Sequence, residues 1–176
     1  MNEIRFSPGL MNVNTGPIST LLATTLNIGV ASTYGWAYQS ATKAIVIYKG
    51  AKPSKATVAT IGNDTTTYNS ANVLVKYIIG NVPNFTTFNT TTKKLSTMPV
   101  SAVAQASGTA THFIFFPCYT TVVDITSNHI TPLICGDVSI TGQAGDLKLN
   151  APTLDIVSGQ TYTCTVDLVI PYNYTF

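Results

Sequence analysis

Apolar and polar residues alternate with a period of two through the last forty residues of the chain. Val138 and Ile140 fall on one side of a strand while Asp137, Ser139 and Thr141 fall on the other, and Leu147 and Leu149 oppose Asp146, Lys148 and Asn150. Tyr162, Cys164, Val166, Leu168 and Ile170 form one stripe against Thr161, Thr163, Thr165 and Asp167. Successive side chains leave a strand on opposite faces, so this pattern predicts half-buried strands. Thr-Gly-Gln-Ala-Gly, Asn-Ala-Pro and Val-Ser-Gly-Gln separate the pieces as turn punctuation, and the stretch reads as an antiparallel meander.

Further upstream the apolar runs are continuous. Ala44 to Tyr48 reads as a strand buried on both faces and ended by Lys49-Gly50 and Pro53; Val73 to Ile79 reads as another, closed by Gly80. Thr57 to Ile61 is expected to pair between them. Thr111 to Phe116 forms a strongly apolar strand stopped by Pro117, and Val122 to Ile125 and Ile130 to Cys135 precede the meander. Residues 81–99, with Pro83, Pro99 and the run Thr86 to Thr92, read as a loop or short edge hairpin and a contact surface. Short strands at close spacing, with no helix long enough for a crossover, predict an all-β fold: an antiparallel β-sandwich or jelly-roll-like barrel.

Residues 1–35 break this pattern and read as an N-terminal arm, leaving 36–176 as the sandwich with a short aromatic tail. Within the arm Ile18, Leu21, Leu22 and Leu26 approximate helical spacing after Pro17, which predicts at most one short helix. So apolar an arm is expected to dock on a neighbour or across its own sheet. Trp36, Thr87, Phe88, Tyr172, Tyr174 and Phe176 join those four residues as candidate interface positions.

Composition sharpens the picture. Only 9% of the 176 residues are charged, against roughly 25% in ordinary soluble domains. Threonine supplies about one residue in six, and its branched Cβ suits a pleated surface while its hydroxyl stays wet. With a formal charge of +2 and strand edges to cover, such a surface has little electrostatic protection against association, which favours burial in a larger assembly and a homo-oligomer. The pI near 8.4 is too mild to imply nucleic acid; Lys49, Lys52 and Lys55, like Lys93-Lys94, read as solvated loop residues. No apolar run approaches a membrane span, and the opening Met-Asn-Glu-Ile-Arg-Phe shows no secretory pattern.

Catalytic, cofactor and metal chemistry find no motif. Cys118, Cys135 and Cys164 are odd in number and irregular in spacing, which matches neither a disulfide framework nor a zinc pattern; Cys164 reads as a small buried hydrophobe. His112 and His129 with Asp124 and Cys118 make a nominal set without a nucleophile signature, and His112 reads as a partly buried strand residue. Asp137 and Asp146 flank turns, where a carboxylate bonds nearby backbone amides. No catalytic residue, cofactor ligand or metal ligand is therefore assigned, and no enzyme is expected.

Three stretches carry a resemblance. Ile47-Tyr48-Lys49-Gly50-Ala51-Lys52-Pro53-Ser54 resembles the "IYSGxQPAS" strand and turn of a family of tailed-bacteriophage virion structural proteins. Gly108-Thr109-Ala110-Thr111-His112-Phe113-Ile114-Phe115 resembles that family's "GTAxWFRF" strand, with His112 where an aromatic is usual. Gly136-Asp137-Val138-Ser139 through Gly145-Asp146-Leu147-Lys148-Leu149 to Ile170-Pro171 resembles its terminal "GSVGxSGADLxLxxxxIxxGxxVxVxxFxLxIP". Lys55-Ala56-Thr57 and residues 81–99 depart from the pattern. The resemblance implies a non-enzymatic component of the particle, and the role expected of it is a capsid decoration or cement protein, assembled in the host cytoplasm and bound to the major capsid protein or other virion proteins. A tail, collar or baseplate component is the alternative within the same particle. A carbohydrate-binding attachment module is a further one, for which Trp36 with Tyr34 and Tyr38 would supply an aromatic platform.

Overall fold

The computed structural model describes residues 5–6, 42–54, 57, 68–79, 86–89, 94–119 and 134–169. Twelve strands run through them. The first six are β1 (Arg5–Phe6), β2 (Thr42–Tyr48), β3 (Val73–Ile79), β4 (Thr86–Asn89), β5 (Lys94–Thr97) and β6 (Val100–Val103). The second six are β7 (Gly108–Thr109), β8 (His112–Tyr119), β9 (Ile134–Ile140), β10 (Leu147–Leu149), β11 (Asp155–Ile156) and β12 (Thr161–Val169). Ten of them form one sheet in the order β3-β2-β8-β9-β10-β12-β5-β4, with β1 added to β9 and β6 to β12; β7 and β11 pair separately. The fold is all-β, as the alternation predicts.

The sheet curls strongly. At one end β3 carries an extra residue, since Ile47 faces Val75 but Tyr48 faces Val73. The carbonyl of the intervening Leu74 accepts the Gln105 amide at 2.8 Å, and Val75 bridges Ala104 just beyond β6. One end of the sheet, β3, thus meets the chain just beyond β6, the strand added to β12, and bulges of this kind add the twist that curls a sheet.

The described part of the C-terminal stripe lies inside this curl. Tyr162, Cys164 and Val166 pack with Ile45 and Ile47 of β2, Phe113 and Phe115 of β8, Val138 of β9 and Leu147 and Leu149 of β10. Strands β2 and β8 are buried on both faces: Ala44, Val46 and Tyr48 join Ile114, Phe116, Val73 and Cys135 in a second cluster on the outer side, with Tyr68 against it. The continuous apolar runs in the sequence correspond to these two-sided strands. Cys135 and Cys164 are free and buried.

Two departures from the sequence pattern have local causes. Strand β8 continues through Pro117 to Tyr119 instead of stopping. Its register against β2 shifts by one between Ala44–Phe116 and Thr42–Tyr119, so Pro117, which has no N–H to offer, sits at a bulge. Strand β10 pairs with β9 in parallel, where a meander predicts an antiparallel neighbour. The connection turns back through Gly142, at φ 91°, before β10 begins. The stretch 81–99 does contain a hairpin, β4–β5. The expected helix at 18–26, the strands after Thr57 and at 122–125, and the tail lie outside the described residues. Of the arm, Arg5 and Phe6 add to its own sheet opposite Cys135 and Ile134.

A charge placed on either side of β12 tests this register. Val166 is fully buried and faces Leu147, whereas Thr165 is partly exposed opposite Lys148. Val166→Asp is expected to cost about 3–5 kcal/mol or to abolish folding, as buried unpaired carboxylates do. Thr165→Asp, within reach of Lys148, is expected to change stability by less than about 1 kcal/mol. Urea midpoints of the two variants provide the comparison, and equal losses would show that the faces are misassigned.

Candidate functional site

Polar side chains gather where the end of β2, the start of β8 and the β9–β10 pair meet. Strand register builds the first part. Tyr48 lies opposite His112 and His112 opposite Asp137, so the three share a row across the outer face. The Tyr48 and His112 rings stack with centroids 5.2 Å apart and planes 9° from parallel. Both residues are fully buried.

The turn after β2 brings in the next group. Thr111 ties this turn down: its amide donates to the Tyr48 carbonyl at 3.0 Å and its hydroxyl to the Gly50 carbonyl at 2.7 Å. With that hydroxyl proton committed, the His112 Nδ1, 2.9 Å from Thr111 Oγ1, is the donor of their contact. The imidazole then carries its proton on Nδ1, and Nε2 is a buried acceptor without a hydrogen-bond partner. From the held turn Lys52 reaches Asp137, with Nζ 2.8 Å from Oδ1.

Asp146 completes the cluster. Its amide donates to the Asp137 carbonyl and its Oδ2 accepts the Asp137 amide, both at 3.0 Å, so the Asp137 peptide is gripped from two sides. The carboxyl fits because residue 136 is glycine: a Cβ there would lie 2.7 Å from the Phe113 ring and 2.8 Å from Asp146 Oδ2. Beside it, Lys148 Nζ donates to the buried Ser139 hydroxyl at 3.2 Å and to the Gln143 carbonyl.

Burial dominates the proton affinities. It lowers the His112 pKa to about 4, with the Lys52 charge adding to the shift and Asp137 opposing it. Burial raises the Asp146 carboxyl; the Asp137 amide, Lys52 and Lys148 act against this, while the Asp137 charge reinforces it. The Cys164 thiol is pushed up to about 12 by burial. At neutral pH the cluster therefore holds a neutral imidazole, a buried carboxyl with raised affinity for its proton, and a lysine–carboxylate pair. Among the described residues no three His, Cys, Asp or Glu side chains group closely enough to hold a metal ion.

Of the candidate interface residues, Thr87 and Phe88 lie on β4 opposite Ser96 and Leu95. Ile18, Leu21, Leu22, Leu26, Trp36, Tyr172, Tyr174 and Phe176 lie outside the described residues, as do Tyr34, Tyr38, Asp124 and His129. Cys118 is on β8. His112 is fully buried where the sequence pattern implies partial burial, and Lys52 is drawn into an ion pair in place of the solvated loop position its neighbours in sequence imply. Lys94 likewise pairs with Asp167 at 2.9 Å. Spacing alone does not reveal the cluster of Lys52, His112, Asp137 and Asp146. Its one signal is the repeated pair Gly136-Asp137 and Gly145-Asp146.

Two measurements probe the cluster. Unfolded chain takes up a proton on His112 near pH 6.5, whereas the folded chain does so only near pH 4. Stability from this residue is therefore whole above pH 6.5 and lost as the pH falls through that window, by up to about 3 kcal/mol. Asp146, with its pKa raised, has the opposite sign and recovers stability as it protonates at the acid end. Melting temperatures from pH 7 to 4 are expected to fall for the natural chain and to fall less for His112→Gln; parallel curves would remove His112 as the cause. Gly136→Ala is expected to cost about 1–3 kcal/mol through the clash with Phe113 and Asp146, read from its denaturant midpoint.

No protein-family model, curated protein or solved structure matches this chain.

Proposed function

We propose that the protein is a non-enzymatic structural component of a tailed-bacteriophage particle, a decoration or cement protein that binds over the major capsid protein lattice. The observation that carries this reading is spatial. The three stretches that resemble the virion family pack against one another: the turn after β2 is held by Thr111 and reaches Asp137, and Asp146 grips Asp137. Separated by dozens of residues in sequence, they form one structural unit, which is what a shared ancestral core requires of scattered motifs.

The surface fits such a role. Thr161, Thr163 and Ser101 lie on the outward side of β12 and β6, with the Ser101 and Thr163 hydroxyls 2.7 Å apart. Those three positions are polar without charge. Large apolar side chains also stand out from the body: Ile78, Met98, Val103 and Val157 are each about half exposed. Among the described strands, β4 pairs only with β5, so the hairpin offers a backbone edge at the end of the sheet. A neutral face, exposed apolar groups and an open edge suit interfaces with neighbours in a shell, where symmetric repetition multiplies modest contacts.

Co-sedimentation with purified heads and with purified tails tests the proposal, alongside light scattering of the free protein. Saturable, stoichiometric binding to heads at micromolar concentration is the expected result. Binding to tails alone would reassign the protein to the tail or baseplate. A monomer that binds neither would sink the assembly reading.

A further inference from the structure

We propose that Lys52 and Asp137 are the two halves of an intramolecular isopeptide bond, formed between Lys52 Nζ and Asp137 Cγ with the Asp146 carboxyl assisting the condensation. This goes beyond the virion reading and does not rest on it.

Geometry provides the first support. Lys52 Nζ and Asp137 Oδ1 are 2.8 Å apart although 85 residues separate them in sequence. The carboxyl carbon sits one bond behind that oxygen, which places the amine near the separation of about 3–3.5 Å from which attack proceeds. Both partners are held: Thr111 fixes the turn that carries Lys52, and the Asp137 peptide is gripped by Asp146 on both its N–H and its carbonyl.

The surroundings provide the second. The Lys52 side chain is only 16% exposed and that of Asp137 30%. The neighbouring His112 is fully buried and neutral at physiological pH, so the pair stands against a largely dry wall. Condensation requires a neutral amine and a neutral acid, and a proton passed directly between the paired groups supplies both. Asp146 supplies a second carboxyl, its Oδ2 3.0 Å from the Asp137 amide nitrogen, and burial keeps a proton on it more readily than on an exposed aspartate.

The chemistry balances without any co-reactant. A proton passes from the Lys52 ammonium to the Asp137 carboxylate. The Nζ lone pair then attacks Cγ, a C–N bond forms and the carbonyl electron pair moves onto oxygen. Asp146 gives its proton to the departing hydroxyl and takes one from the nitrogen, so the C–O bond breaks and one water leaves. Ammonium and carboxylate become amide and water. The product ties the turn after β2 to β9 and closes a covalent ring around β3 to β8, which restricts the unfolded chain as a disulfide of similar span does.

Intact mass spectrometry of the purified, denatured full chain, followed over time at neutral pH, is the test. The expected mass is lower than the sequence mass by one water, with a branched peptide joining residues 52 and 137 after digestion. Lys52→Arg is expected to keep its full mass, and Asp137→Asn to lose one ammonia in place of water. Asp146→Asn keeps an oxygen to accept the Asp137 amide but cannot relay the proton, and bond formation in it is expected to slow by about 100-fold. Full mass in the natural chain after days of incubation overturns the proposal. An Asp146→Asn variant that condenses as fast as the natural chain removes Asp146 from the reaction and overturns its role as proton relay.

Discussion

Burial of both faces of β2 and β8 is the constraint around which the rest of the molecule is arranged. Ile45, Ile47, Phe113 and Phe115 point to one side of these paired strands, Ala44, Val46, Ile114 and Phe116 to the other, and none retains exposed surface. A flat sheet of this length covers only one face at a time. The described strands therefore curl until β10 and β12 bring Leu147, Leu149, Cys164 and Val166 against the inner side. Burial of each large apolar side chain contributes about 1.5–3 kcal/mol, so the inner cluster outweighs any other group of contacts in the described structure.

Single extra residues carry out the curling. Leu74 is extra opposite β2, and its carbonyl turns to Gln105 on the far side. Pro117 sits at the shift between β8 and β2. A third irregularity lies along β12, which faces Cys164 to Val100 of β6 and Asp167 to Ser96 of β5. Two residues of β12 thus oppose three of the neighbouring chain, at Thr97, Met98 and Pro99. Within this irregularity the Val166 amide donates to the Thr97 hydroxyl at 2.9 Å. Each irregularity adds local bend and twist to the sheet.

In a chain with so few charges, their placement is informative. Two of the described ion pairs, Lys52–Asp137 and Lys94–Asp167, tie elements distant in sequence, and both are partly shielded from water. Exposed pairs contribute little to stability, but partly buried ones placed between distant elements help to define which segments meet. Thr161, Thr163 and Ser101 place hydroxyls on the outward side of β12 and β6.

Alternation and apolar runs, read along the sequence, determined the strand class, the two-sided burial of Ala44 to Tyr48, and the inward stripe of Tyr162, Cys164 and Val166. These follow from a two-residue period that any strand must obey, whatever its neighbours. Pairing partners were a different matter. The parallel match of β9 with β10, the passage of β8 through Pro117 and the meeting of β3 with Gln105 depend on bulges and turns, whose one-residue shifts leave no trace in hydrophobic periodicity. The polar cluster was hidden for the same reason. Lys52, His112, Asp137 and Asp146 come from four separate elements, and each is an ordinary residue in its own stretch. Only the register of Tyr48, His112 and Asp137, and the missing Cβ of Gly136 that admits the Asp146 carboxyl, bring them together, because contacts between distant strands are set by packing in three dimensions and not by local pattern.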